Sequence, residues 1–398
     1  MTVDLCLVNP NGGTPTSPFA AVEPPLWLGL IAGYRLAQGQ RVAIVDAEAE
    51  GLTVWQTICR VKALCPQEIG IVVMGHNPSV SSTPKMPVAE ELLKYLTAWL
   101  TGLHPVAVCH PLALKHPFVG IPSIPWELLH MERYRAHNWH CLDGSLRSPY
   151  ASVYTSLGCP FACYYCNVHA LYGSGKVKFR PLDDIMEEVR TLVTEYQVRN
   201  IKIWDELFTA NEERVIAICS ALKRYDLNMW AYARLDTVNP RMLRVMKGAG
   251  INWLAYGFEG IKDPKFIDRV ETVIRMTREA GINIIGNFLF GLPGDTKEDM
   301  QAALDMAMRE NLEYANFNVA LPYPGSAWYD SLSVKPQDWD AFNQFSLNIC
   351  ASAEVVKFRD AAFQTYFSRP EYLSMVRGKF GEQAERHIQE MLAWKIRQ

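Results

Sequence analysis

Short apolar runs of strand length alternate along this chain with longer segments in which apolar residues return every three or four positions. The first pattern marks strands and the second marks helices. In the first third, Val3 to Asn9, Arg41 to Asp46, Glu68 to Met74 and Pro105 to Cys109 read as strands. Helices are predicted over Leu26 to Gln38, closed by Gly39, and over Val88 to Leu103. Strands separated by helices imply a parallel, doubly wound sheet, in which ligands sit beyond the carboxyl ends of the strands. Three loops there converge on one crevice: Asn9 to Gly13, Gly75 to Thr83 and Cys109 to Leu112.

From Tyr150 the alternation resumes with longer helices. Strands are predicted near Ala151 to Leu157, Asn200 to Trp204, Leu227 to Ala233, Ile251 to Phe258, Ile282 to Phe290 and Tyr314 to Leu321. Strands so spaced suggest a partial α/β barrel with its chemistry at the carboxyl mouth. The expected organisation is α/β: a shortened Rossmann-like unit over 1–120, a linker over 121–149, a partial (β/α)6 TIM-type barrel over 150–327 and a helical region over 328–398. In that last region Asp360 to Phe367 and Gly381 to Ile396 are helical and rich in aromatics, which suits closure of the barrel's open edge.

Composition narrows the function without naming it. The 398 residues carry 39 basic and 42 acidic side chains, a net charge of −3, which argues against nucleic acid or anionic membrane as the partner. No apolar stretch is long enough to span a bilayer and Met1-Thr-Val-Asp-Leu5 lacks a basic leader, so a cytoplasmic protein is expected. Cys6, Cys59, Cys65, Cys109, Cys141, Cys219 and Cys350 are scattered singly, as expected of reduced thiols packed in the core.

The remaining three cysteines are different. Cys159-Pro-Phe-Ala-Cys163-Tyr-Tyr-Cys166 sets three thiols in one loop after the first strand of the second series, with no second C-x-x-C or His pair to complete a zinc site. A four-iron cluster held by three thiolates keeps one iron open to a small molecule. C-x-x-x-C-x-aromatic-C, with Tyr165 before the last cysteine, resembles the signature of the radical SAM enzymes. The resemblance implies a [4Fe-4S] cluster on Cys159, Cys163 and Cys166, with S-adenosylmethionine on the open iron cleaved by one electron to a 5′-deoxyadenosyl radical. It also implies an external electron donor of the flavodoxin or ferredoxin type. Candidate contacts to S-adenosylmethionine follow from matching strand ends. They are Tyr165 in the loop, Asp205 or Glu206 for the ammonium and Arg234 for the carboxylate. Glu259 in Gly257-Phe-Glu-Gly260, where relatives carry G-x-E-S, would bind ribose or the methionyl end. Gly291 and Pro293 in the turn of Gly291-Leu-Pro-Gly-Asp-Thr296 would lie near adenine, although a plain turn capped by Asp295 or Thr296 explains that stretch equally. Tyr323 in Pro322-Tyr-Pro-Gly-Ser326 is a candidate for the substrate.

The N-terminal third is similar to the cobalamin-binding domain that precedes many radical SAM domains, the arrangement of class B radical SAM methyltransferases. Asn9-Pro10, the Pro24-Pro-Leu-Trp-Leu-Gly-Leu30 start of the first helix and the Ser/Thr-rich loop after the third strand are the matching pieces. The D-x-H-x-x-G stretch of cobalamin mutases is absent. The resemblance implies cobalamin contacts among Asn9, Pro10, Gly12, Gly75, His76, Ser79, Ser81, Ser82, Thr83 and His110, with the serines and Thr83 equally suited to turns and caps. The function it implies is methyl transfer to an unactivated carbon of a small molecule or peptide. The alternatives are a radical isomerase, cyclase or oxidoreductase that does not use cobalamin for methyl transfer and, behind it, a non-enzymatic iron–sulfur binding protein.

Overall fold

The structure, a computed structural model, describes residues 3–12, 17–73, 83–99, 106–109, 120–173, 175–259 and 264–394. The N-terminal part comprises β1 (Leu5–Asn9), α1 (Leu26–Ala37), β2 (Val42–Asp46), α2 (Ala47–Glu50), α3 (Val54–Ala63), β3 (Glu68–Val72), α4 (Met86–Trp99) and β4 (Val106–Cys109). Its four strands are parallel, in the order β2-β1-β3-β4. β1 is buried throughout because both faces are covered, the usual condition of a parallel strand. Leu5 and Leu7 join a core shared with α1, while Cys6 and Val8 point the other way, into a cluster with Ile58 and Val61 of α3 and Leu92 of α4. Among the single cysteines, Cys6, Cys141 and Cys219 are buried, but Cys59 and Cys65 are exposed. Core packing therefore fails for those two: Cys59 falls on the outer side of α3, and Cys65 turns the chain beyond that helix at φ 45°.

The larger part comprises β5 (Tyr150–Val153), β6 (Ser156–Leu157), α5 (Val168–Tyr172), β7 (Lys178–Phe179), α6 (Leu182–Thr194), β8 (Asn200–Ile203), α7 (Glu212–Leu222), β9 (Asn228–Ala233), α8 (Pro240–Gly248), β10 (Ile251–Gly257), α9 (Pro264–Glu279), β11 (Asn283–Phe290), α10 (Lys297–Glu310) and β12 (Tyr314–Val319). Six of its strands form a parallel sheet in the order β5-β8-β9-β10-β11-β12. Strands that follow one another in sequence without a reversal send every right-handed crossover to the same face of the sheet, leaving the other face free. At the strand starts, Asn252, Asn228 and Asn200 form an amide ladder with links of 2.9 Å.

The strand expected from Ala151 to Leu157 is broken into β5 and β6. Thr155 N donates to Asp205 Oδ1 at 2.6 Å, which takes the backbone out of the parallel ladder and sends Ser156–Leu157 to pair antiparallel with β7. The remaining helices are α11 (Ala327–Asp330), α12 (Ala353–Phe367), α13 (Pro370–Phe380) and α14 (Glu382–Ala393). They close the β12 side as the aromatic content suggested. The Tyr366 and Tyr372 hydroxyls donate to the carbonyls of Leu312 and Glu313 at 2.6 and 3.1 Å. Gln344 both accepts from Val319 N and donates to Val319 O, so one side chain occupies the place of a neighbouring strand.

The segment between the two sheets has little regular structure but is heavily buried. Its Tyr134 hydroxyl donates to Asp46 at 2.7 Å on one side, and Trp126 Nε1 donates to Glu188 at 3.0 Å on the other. One continuous core runs from Leu5 and Leu28 through Trp126 and Tyr134 to the six-stranded sheet.

Candidate functional site

The cysteine loop is built on the carboxyl ends of β5 and β8. Asp205 is buried and accepts from Thr155 N, the Thr155 hydroxyl and, at 2.6 Å, the Ser156 hydroxyl. Burial raises its pKa and these donors oppose the rise. Gly158 follows at φ +94°, and a Cβ there would lie 2.5 Å from the Lys176 carbonyl, so only glycine fits. Its N–H donates to Glu206 Oε2 at 3.0 Å. The adjacent carboxylates therefore separate in role: Asp205 fastens the start of the loop, and Glu206 meets its first turn.

Cys159, Cys163 and Cys166 are all partly exposed. Cys166 N donates to Cys163 O at 3.0 Å, His169 Nε2 lies 3.0 Å from Cys159 O, and Trp328 N donates to Tyr164 O at 3.0 Å. The Tyr164 hydroxyl meets Ser331 at 2.8 Å and Asn167 donates to Pro324 O at 3.3 Å, tying the loop to the chain after β12. Burial raises the pKa of Cys159 and pushes the Cys166 thiol up to about 12, so ligation must draw off these protons by binding a cation. A cubane takes one thiolate per iron, and three thiols on a single short loop meet that demand. Among the described residues no three His, Cys, Asp or Glu side chains converge on a single-ion site.

Arg234 lies at the end of β9. It pairs in fork geometry with Asp236 at 2.8 and 2.9 Å, as its sequence neighbourhood allowed, and its Nη1 also lies 3.8 Å from Cys163 Sγ. Its guanidinium stacks on Phe161 at 3.9 Å, which fixes it beside the loop. Burial pushes Glu206 up to about 8, with the neighbouring Asp205 charge adding to the effect. Burial likewise raises Glu259, whose carboxyl bonds to the Tyr165 hydroxyl. Gly291, at φ +81°, would bring a Cβ to 2.9 Å from Val355 of α12. In the turn that follows, Asp295 accepts from Leu292 N, and Thr296 with Asp299 forms the capping box of α10. Tyr323 is buried against Phe342, its hydroxyl 3.3 Å from the Phe342 carbonyl.

In the N-terminal sheet, Asn9 is buried at the end of β1, donating to Asp46 at 2.7 Å and accepting from Lys85 at 3.2 Å. Thr83 is also buried, its hydroxyl 3.1 Å from Phe342 O. Pro10 is buried, and Gly12 lies against Lys85 and Pro84. Gly75, His76, Ser79, Ser81, Ser82 and His110 lie outside the described residues.

A cavity of about 990 Å³ opens on the sheet face that carries no crossover helix, lined by Lys202, Tyr232, Ala255, Asn287 and Asn318 of five successive strands. The ends of these strands carry Glu206, Arg234, Glu259, Gly291 and Tyr323. Lys202 is buried beneath the Trp204 ring, 3.5 Å from its centroid, and pairs with Glu23 at 3.0 Å. Tyr323 does not line this cavity. Lys202, Glu23, His169 and the stretch His137-Asn138-Trp139 were not singled out by sequence reasoning. A lysine inside the apolar strand Asn200-Ile-Lys-Ile203 was the available signal for the first.

Residues 153–307 match the radical SAM superfamily and form a radical SAM domain. Over 285 residues the chain is 28% identical to an uncharacterized methyltransferase of Pyrococcus horikoshii, covering 66% of this chain and 59% of that protein. It is 27% identical over 224 residues to the cytidylyl-2-hydroxyethylphosphonate methyltransferase of Streptomyces wedmorensis, covering 52% and 42%. The anaerobic magnesium-protoporphyrin IX monomethyl ester cyclase of Rubrivivax gelatinosus is 21% identical over 403 residues, covering 84% and 70%. The chain thus spans about half the length of the methyltransferases it matches. In fold it resembles the radical S-adenosylmethionine methyltransferase TsrM from Kitasatospora setae, solved with cobalamin and a [4Fe-4S] cluster bound. That match has a TM-score of 0.63 at 14% identity and covers 98% of this chain and 100% of that one. It also resembles the cobalamin-dependent S-adenosylmethionine radical enzyme OxsB, with a TM-score of 0.55 at 15% identity, covering 90% and 56%.

Proposed function

We propose that this chain is a cobalamin-dependent radical SAM methyltransferase that adds a methyl group to an unactivated carbon. The observation that carries the reading is the three-thiol loop at the carboxyl end of β5, beside Arg234, above strands that wall a 990 Å³ cavity. When bound, a [4Fe-4S] cluster with S-adenosylmethionine supplies one-electron chemistry, and cobalamin supplies the methyl group.

The chain's own residues hold, orient and exclude. Cys159, Cys163 and Cys166 take three irons as thiolates. Glu206 accepts from the methionyl ammonium, Arg234 pairs with the carboxylate once Asp236 shares it, and Glu259 with Tyr165 serves the ribose side. The Gly291–Pro293 turn receives the adenine. Six parallel strands in sequential order suit a partial barrel over 150–327, fed by an external electron donor. The N-terminal sheet over 1–120 would take cobalamin at its strand ends, at Pro10, Gly12 and the loops that follow β3 and β4. Asn9, held by Asp46 and Lys85, then acts by fixing the end of β1.

The reach of the cyclase match, 84% of this chain, favours one second reading: a radical ring-forming oxidoreductase without methyl transfer. Anaerobic reconstitution with iron, sulfide and methylcobalamin separates the two. Near-stoichiometric corrin uptake, with label from methyl-labelled S-adenosylmethionine reaching product, supports the methyltransferase; no corrin uptake sinks it.

A further inference from the structure

The cavity wall is uneven in its hydrogen-bonding groups, and the unevenness describes a ligand. Trp139 stands at an aromatic corner, its ring 5.1 Å from Trp230 and 5.9 Å from Tyr314. Such a corner favours a flat ring placed edge-on or offset against it. Beside Trp139, Asn138 is 3% exposed, and its amide Nδ2 has no hydrogen-bond partner among the described residues. Burying a donor without a partner is costly, and a ligand acceptor removes the cost. His137 Nδ1 accepts from Ala21 N at 3.2 Å, which places the ring proton of the neutral imidazole on Nε2 and makes that nitrogen a donor.

The charges around the cavity leave one over. Lys202 is neutralised by Glu23, and Arg359 by Asp360. Lys357 of α12 also lines the cavity and has no ion pair among the described residues. We propose that the cavity takes a planar aromatic ligand bearing one carboxylate. Its ring packs on Trp139 and Trp230, its carboxylate accepts from Asn138 and His137, and Lys357 supplies the matching charge. This rests on reading the cavity as the place where the substrate carbon is held.

The test uses the full chain and two probes of equal shape, 1-pyrenebutyrate and 1-pyrenebutyramide, with binding read as energy transfer from tryptophan to pyrene. The acid is expected to bind about tenfold more tightly than the amide, the size of a charge-assisted hydrogen bond. Asn138→Leu and Lys357→Met should each remove most of that preference and leave amide binding within about twofold. Neither variant should lower the unfolding midpoint, since one removes an unpartnered amide and the other an exposed side chain. Equal affinities, a preference that survives both variants, or no saturable transfer overturns the proposal. Formation of 5′-deoxyadenosine by the same preparations decides the radical reading independently.

Discussion

Asp205 and Glu206 show how much one residue's position along a strand end can matter. Asp205 satisfies three donors of the cysteine loop, and Asp205→Ala leaves them buried and unpaired. The expected loss is about 3 kcal/mol or more, measured as a lower urea midpoint, with reduced iron retention after reconstitution. Glu206→Gln should fold and hold its cluster normally while weakening S-adenosylmethionine binding about tenfold in equilibrium dialysis, because only a charge-assisted contact to the ligand is lost. Sequence reasoning placed both carboxylates at the site but could not divide their work. Adjacent residues leaving a strand point in opposite directions, and which one turns inward depends on the partner strand. The cysteines were legible because their spacing alone restricts the chemistry. Arg234 stands two residues from Asp236 in the sequence, and the structure has it serve Asp236 and Cys163 together.

At the scale of elements, period was a good guide to what is regular and silent about what is not. β8 to β12 fall within a residue or two of the expected strands, since buried parallel strands read as continuous apolar runs. The segment over 121–149, expected to be a linker from its resemblance to the family's, supplies His137, Asn138 and Trp139 to the cavity. It also anchors the stretch before α1: Arg147 donates to the carbonyls of Pro18, Phe19 and Ala20, at 2.6, 3.3 and 2.7 Å. Arg147→Met should cost about 1–3 kcal/mol and speed proteolytic cleavage near residues 17–22, read by mass spectrometry of the first nicked fragments. Cleavage unchanged from wild type would show that the other contacts suffice.

Across the whole molecule, two parallel sheets share one core, so they should unfold together. Burial pushes His137 and His140, both within the joining segment, down to about 3 from the ordinary 6.5. Below pH 6.5 the unfolded chain takes up protons at both imidazoles while the folded chain does not. Stability therefore falls as pH drops from 6.5 toward 3, by at most about 3 kcal/mol per pH unit for the pair. Urea midpoints between pH 7 and 5 measure this, and His140→Phe should remove about half of the slope. That coupling was invisible in the sequence, where burial of a loop histidine depends on residues more than eighty positions away, such as Asn228, whose amide donates to the His140 carbonyl at 3.0 Å.

The tail's grip on β12 has a further consequence. Tyr366, Tyr372 and Gln344 hold that strand through its main-chain groups at Leu312, Glu313 and Val319. Every protein presents those same groups whatever its side chains. The same helices also pack side chain on side chain, Phe358 against Phe290, Tyr366 against Phe317 and Phe367 against Tyr314, and they carry Lys357 and Arg359 of the cavity wall. The tail thus seals the edge of the sheet and shapes the cavity at once, so a change made in it is felt at both places.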